Sequence, residues 1–202
     1  MAVIFITPDA LFIRLSSIDT WGLVFYRGII PFFSVFVGML LIYKLNFFKI
    51  LMESGYHGIV YIGTFSITNI TFVVSIQNTN VANTLVMIAT APMLSAILSA
   101  FFIKETPDKK TWISIIITFL AIIFIFSDSL KLGNFYGDLL GFITATGLAV
   151  GAVTIRSAKS KNLVPAAVIG KLFVASFALI FIESFILDKK DIIIVPLMCI
   201  LC

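Results

Sequence analysis

Charge is what this sequence has least of. Only 12% of its 202 residues are Asp, Glu, Lys or Arg, against about 25% in an ordinary soluble domain. Hydrophobic residues make up 60% and mean hydropathy is +1.15. That balance excludes a water-soluble globular chain and describes one whose solvent is hydrocarbon. The net charge of +4 is scattered along the chain, so no nucleic-acid patch is built and no nucleic-acid partner is expected. Histidine occurs once, at His57. No paired carboxylates, His cluster or Ser–His–Asp set accompanies it, so no catalytic residue is assigned and an enzyme is not expected. The only cysteines, Cys199 and Cys202, are too few for a disulfide framework. Their C-x-x-C spacing reads as two small apolar residues in a span rather than a metal or redox pair, and no metal or other cofactor is expected. The first residues lack a basic stretch and a cleavage site and do not read as a signal peptide.

What the chain has in abundance is apolar length. Seven apolar segments and the start of an eighth run over 2–17, 20–43, 57–77, 79–103, 111–127, 136–156, 163–187 and 191–202. Most reach the roughly 20 residues that a helix needs to cross a bilayer. The fold class expected is all-α, a polytopic transmembrane helix bundle, with "QNTN" (77–80) turning the third segment into the fourth. Loops after even segments carry Lys44, Lys49, Lys104, Lys109, Lys110, Arg156, Lys159 and Lys161; the other side carries Arg14, Lys131, Lys189 and Lys190. This bias puts the N-terminus in the cytoplasm, and a multi-pass place in a cell (inner) membrane is expected. "ALFIR" (10–14) and "AVTIR" (152–156) each end a span, Arg27 falls opposite Lys171 and Phe33 opposite Phe177. Five segments separate the copies, and an odd number inverts the second relative to the first, the inverted-repeat plan of transporters. Residues 1–128 are then one five-helix repeat and 134–202 part of a second. By that symmetry the second repeat would run about seventy residues past Cys202, and the chain is expected to be an incomplete ten-helix protein.

Polar residues inside the spans are the candidate site. His57, Tyr61, Thr64, Thr68, Thr71, Ser75 and Asn78 recur at spacings of four and three on one face of the third segment. Such a stripe is either interhelical hydrogen bonding or the wall of a wet substrate cavity; His57, at its end, reads as a plain interfacial residue. Gly137, Gly141, Thr144, Gly147, Gly151 and Thr154 form a small-residue face on the sixth segment, read as packing. Pro92 is expected to kink the fourth segment. Arg27 sits in a run with no other charge from Trp21 to Tyr43, where an arginine costs roughly 2.5–3.5 kcal/mol on insertion scales. It lies about 10 Å inside the boundary, level with Asp9 of the neighbouring antiparallel segment, and Pro8 is expected to break that helix locally. An Asp9–Arg27 pair would offset both charges, and protonation of Asp9 would couple the pair to pH; snorkelling of Arg27 is the alternative. Lys171 lies in the seventh segment, where it either faces the cavity or snorkels. Glu183, near the end of its span, needs no special role.

At these residues the sequence resembles a known family. "NTLVMIATAPMLSAILSAFFIKE" (83–105), with central Pro92 and closing Glu105, together with "PDALFIR" (8–14), "YRG" (26–28) and "GDLLG" (137–141) resembles EamA-type carriers of the drug/metabolite transporter superfamily. The resemblance implies ten helices in two inverted five-helix repeats, both termini inside, and a central cavity among helices one to four and six to nine. It implies a secondary transporter of small metabolites such as amino acids, often outward, with the lipid bilayer and that metabolite as its partners. Two other readings have their own marks. Lys171 in the seventh segment is where a retinal-binding seven-helix receptor would place its Schiff base. The third segment, however, has no acidic counter-ion, and the charge bias orients the chain the other way. A structural membrane subunit that transports nothing is the second.

Overall fold

In hydrocarbon a backbone must satisfy its own hydrogen bonds, so a chain this apolar folds as helices. The computed structural model describes residues 2–43, 46–104, 108–132, 135–159, 161–182, 191 and 194–196. Among these are α1 (Ala2–Leu15), α2 (Thr20–Tyr43), α3 (Asn46–Asn78), α4 (Val81–Ile88), α5 (Ala91–Phe102), α6 (Lys109–Leu132), α7 (Phe135–Ser157) and α8 (Val164–Ala178). Among the described residues, Thr20–Ile42, Asn46–Asn78, Val81–Phe102 and Phe135–Ser157 are each long and apolar enough to span a membrane. The protein is an all-α polytopic helix bundle. Lys44, Glu105, Glu183, Lys189, Lys190, Cys199, Cys202 and most of the eighth apolar segment lie outside the described residues.

The central element is α3, which packs against α7, α8 and α2. Small residues on its neighbours let it in. Gly147 faces Thr68 so closely that a Cβ would collide with the threonine hydroxyl. The small-residue face of α7 is buried against it, Gly137, Gly141, Thr144, Gly151 and Thr154 included. α2 lies on α8 by the same device: a Cβ on Gly28 would stand 2.7 Å from the Ala175 nitrogen and 2.9 Å from the Lys171 carbonyl oxygen. By contrast α6 buries only Ile115 and Ile122 among its described side chains and exposes Ile116, Ile117, Leu120 and Phe124. It is a peripheral helix clad in lipid-compatible side chains, as a bilayer permits and water would not.

Three local features differ from the sequence expectation. α1 continues through Pro8; a proline removes a single intrahelical donor, which a packed apolar span tolerates. α3 starts eleven residues early, at Asn46 rather than 57. A short helix is joined to the spanning one across Gly55, whose φ of 55° and ψ of −137° only glycine holds at low cost. The seventh span ends as a helix at Ala178 rather than continuing to 187. The next amides bond three residues back, Ile180 N to Phe177 O and Phe181 N to Ala178 O, and this tightening brings Phe181 onto Trp21, ring centroids 4.8 Å apart.

The end of the bundle where α1 finishes is tied together by polar groups. Arg14 donates to the Thr79 carbonyl at 2.5 Å and Gln77 to the Ile13 carbonyl at 3.2 Å. Asn80 caps α4 by accepting from the Ala82 amide at 3.1 Å. The α3–α4 turn is held on α7 by Asp138, which accepts from the Thr79 hydroxyl at 2.5 Å and the Asn83 amide at 3.2 Å. Asp191 does the same for the α1–α2 turn, accepting from the hydroxyls of Ser16 at 2.9 Å and Ser17 at 2.6 Å.

Candidate functional site

α1 and α2 run antiparallel, so Asp9 and Arg27 meet at one depth. The Arg27 guanidinium donates from Nη1 to Asp9 Oδ1 at 2.5 Å, and the two side chains are only 5% and 7% exposed. The guanidinium also lies over Phe72 of α3, Cζ 5.3 Å from the ring centroid. Arg27 is therefore buried beside a carboxylate and an aromatic face, and it does not reach for the membrane surface. Two buried charges at this spacing offset most of each other's desolvation, and the ring contact adds about 2 kcal/mol where water is excluded.

Lys171 projects from α8 toward the same space and is also buried. Its Nζ donates to Asn69 Oδ1 at 2.9 Å and stands 5.4 Å from the Phe65 ring centroid. Asn69 in turn donates to the Phe65 carbonyl at 2.8 Å. A cavity of about 220 Å³ joins the two charged clusters, with Asp9, Arg27, Thr68, Asn69, Phe72 and Lys171 in its wall. Three charged groups, an amide, a hydroxyl and aromatic faces thus converge on one small space in the middle of the bundle. This is the composition of a site for a small polar molecule.

The stripe on α3 divides by depth and neighbour. Thr68 faces the cavity, its hydroxyl bonded back to the Thr64 carbonyl at 2.7 Å. Thr71 pairs with Thr144 of α7 at 2.8 Å. Ser75 donates to the Gly137 carbonyl at 2.7 Å and meets Thr84 at 2.9 Å. Thr64 bonds the Val60 carbonyl of its own helix at 2.9 Å, and Tyr61 stacks on Phe65 at 5.7 Å. Pro92 lies in the first turn of α5, just past the break at Ala89–Thr90 that separates α4 from α5. His57 is at the opposite end of the bundle from Asp138. With Tyr56, Phe102, Thr154 and Ser157 it borders a separate space of about 260 Å³.

Sequence reasoning missed Asn69, which sits one residue from the stripe. Phe65, Asn69 and Phe72 follow the same four-and-three spacing on the adjoining row of α3, and a search for an amide between aromatic residues would have found it. It also missed the anchoring part of Asp138 and Asp191, which depends on turns distant in sequence.

The profile of the EamA-like transporter family matches residues 1–127. No curated protein and no solved structure matches the chain. With nearly all of α1 to α6 inside the matched region, and a buried ion pair and polar cavity among its helices, the chain belongs to the EamA-like transporter family, a family of membrane transporters.

Proposed function

We propose that this protein is a secondary transporter that moves small metabolites such as amino acids by alternating access, with the cavity at Asp9, Arg27, Thr68 and Lys171 as its substrate site. The observation that carries this reading is the convergence of Asp9, Arg27 and Lys171, ionisable residues from three helices, on one small space inside an otherwise apolar bundle. Such residues are costly within a membrane and mark ligand or ion pathways. Residues 1–128 and 134–202 act as two inverted repeats, a plan supported by the mutual packing of α2 and α8, the elements bearing the matched cations. In this reading the chain lies in the inner membrane with its N-terminus in the cytoplasm, an orientation supported by its loop charges. Tyr61, Thr64 and Thr71 carry the wall of the pathway on either side of Thr68, Ser75 packs α3 against α4 and α7 through Thr84 and Gly137, and the α4–α5 break before Pro92 supplies the hinge.

A proton is the coupling ion of this proposal. Protonating Asp9 removes its charge and loosens the pair with Arg27, which couples movement to pH, and deprotonation restores the pair. The test is a comparison of metabolites outside and inside cells that express the protein or its Asp9→Asn and Arg27→Gln variants. A metabolite whose distribution depends on the protein and is lost in both variants is the expected result. Identical profiles with and without the protein would remove the transporter reading.

A further inference from the structure

Two spaces lie along the seam between α3 and α7. The central cavity takes Phe65, Thr68 and Phe72 from α3 and Thr144 and Leu148 from α7. The space of about 260 Å³ beside His57 takes Val60 from α3 and Val150, Val153 and Thr154 from α7. Contacts along the seam pair Ser75 with Gly137, Thr71 with Thr144, Thr68 with Gly147 and Tyr61 with Gly151. The helices therefore run antiparallel, and the two spaces are stacked one above the other. On α3 only the turn from Tyr61 to Thr64 lies between them, a partition about 5 Å thick.

Tyr61 is the largest side chain in that turn. It stands one turn beyond His57 and one turn short of Phe65, on whose ring it stacks with centroids 5.7 Å apart and planes at 26°. Thr64 bonds back to the Val60 carbonyl of its own helix at 2.9 Å. On the α7 side a Cβ at Gly147 would collide with the Thr68 hydroxyl, so there the two helices are in tight contact. A Cβ at Gly151 would stand 3.7 Å from Tyr61 Cε2, an ordinary contact. Between Tyr61 and Gly151 the seam is thus filled by an aromatic ring against a bare backbone. The ring is half-buried, and turning it costs a stacking contact but no helical hydrogen bond.

We infer that the space beside His57 is a mouth of the substrate pathway and that the Tyr61 ring, stacked on Phe65, is the gate between this mouth and the central cavity. The inference rests on the reading of the central cavity as the substrate site and adds to it a route and the residue that controls it. The two ends of the bundle then close by different means, hydrogen bonds around Asp138 at one and an aromatic stack at the other.

The test follows thiol reactivity in the full chain, in membrane vesicles, with Cys199→Ser and Cys202→Ser as background. A bulky, membrane-impermeant thiol reagent is added to one face of the membrane and then to the other. His57→Cys marks the face on which the mouth opens. From that face Thr68→Cys should react slowly when Tyr61 or Tyr61→Phe is present, and several-fold faster with Tyr61→Ala. His57→Cys should react at one rate in all three, because it lies outside the gate. Tyr61→Leu, which keeps apolar bulk without the reach of a ring, serves if Tyr61→Ala does not yield folded protein. The gate is overturned if the Thr68→Cys rate ignores these substitutions, if Tyr61→Phe is as open as Tyr61→Ala, or if Thr68→Cys reacts only from the opposite face. Each of those results leaves the central cavity and the transporter reading standing. A Thr68→Cys that resists even a small polar reagent from both faces in every background overturns the gate together with the assignment of the cavity, while the metabolite comparison above tests transport independently.

Discussion

Arg27 shows why a single residue in a membrane span must be judged with its neighbours. Alone it is a liability; against Asp9 and Phe72 it is compensated by charge and by an aromatic face. Removing one partner strands the other in a low-dielectric interior, and breaking such a pair costs about 3–5 kcal/mol in proteins where it has been measured. Asp9→Asn and Arg27→Gln should each lower the yield of monodisperse protein, and the double variant should recover part of the loss. Strictly additive losses in that cycle would show that the two groups do not act together. Along α3, residues differ by their neighbours. Thr68→Cys, in the cavity wall, should react with a small polar thiol reagent. Ser75→Cys, enclosed by Thr84 and Gly137, should react far more slowly. Equal rates at both positions would mean that water reaches α3 along its whole length.

Between elements, small residues and turn carboxylates set the spacing. α2 can approach α8 only because Gly28 has no side chain. Gly28→Val should push the two helices apart and destabilise the protein by about 1–3 kcal/mol, the usual scale of overpacking. A lowered thermal unfolding midpoint in detergent would report it. Asp138 holds the α3–α4 turn on α7 through Thr79 and Asn83. Asp138→Ala leaves those donors without their acceptor and should cost about 1–3 kcal/mol. Asp138→Asn keeps an acceptor oxygen and should cost less. Equal midpoints for the two variants would argue against hydrogen bonding as the anchor.

At the scale of the whole molecule, the proposed transport makes orientation and mechanism one question, because under alternating access the cavity would open to each side in turn. Reporter fusions at the α2–α3 connection should read as cytoplasmic and those in the α3–α4 turn as external, following the lysine bias of the loops. The reverse pattern would invert the proposed topology and leave the site geometry intact. The bonds at the Asp138 end join α1, α3, α4 and α7, with Asp191 tying in the α1–α2 turn. In the transport reading this is the end that must loosen for the cavity to open there, so disulfide or zinc cross-links between α3 and α7 at this level should stop net transport.

The sequence by itself determined the class of molecule and most of its helices, because hydrocarbon imposes length and composition on every span and leaves a chain of this hydropathy no other fold. It also marked Asp9 and Arg27, since an ionisable residue in an apolar run stands out against its background. Loop charge and spacing were enough to raise the repeat and the sidedness as expectations. Only the tertiary structure decided what the polar stripe on α3 faces. A helix row has neighbours only once α7 and α8 are packed against it, and a shift of one residue, from Thr68 to Asn69, turns the reading from one partner helix to the other. The same holds for Lys171, whose direction depends on an acceptor 102 positions away in the chain. The turns at Asp138 and Asp191 were invisible for that reason too: a carboxylate that caps a distant loop leaves no periodic trace in its own segment.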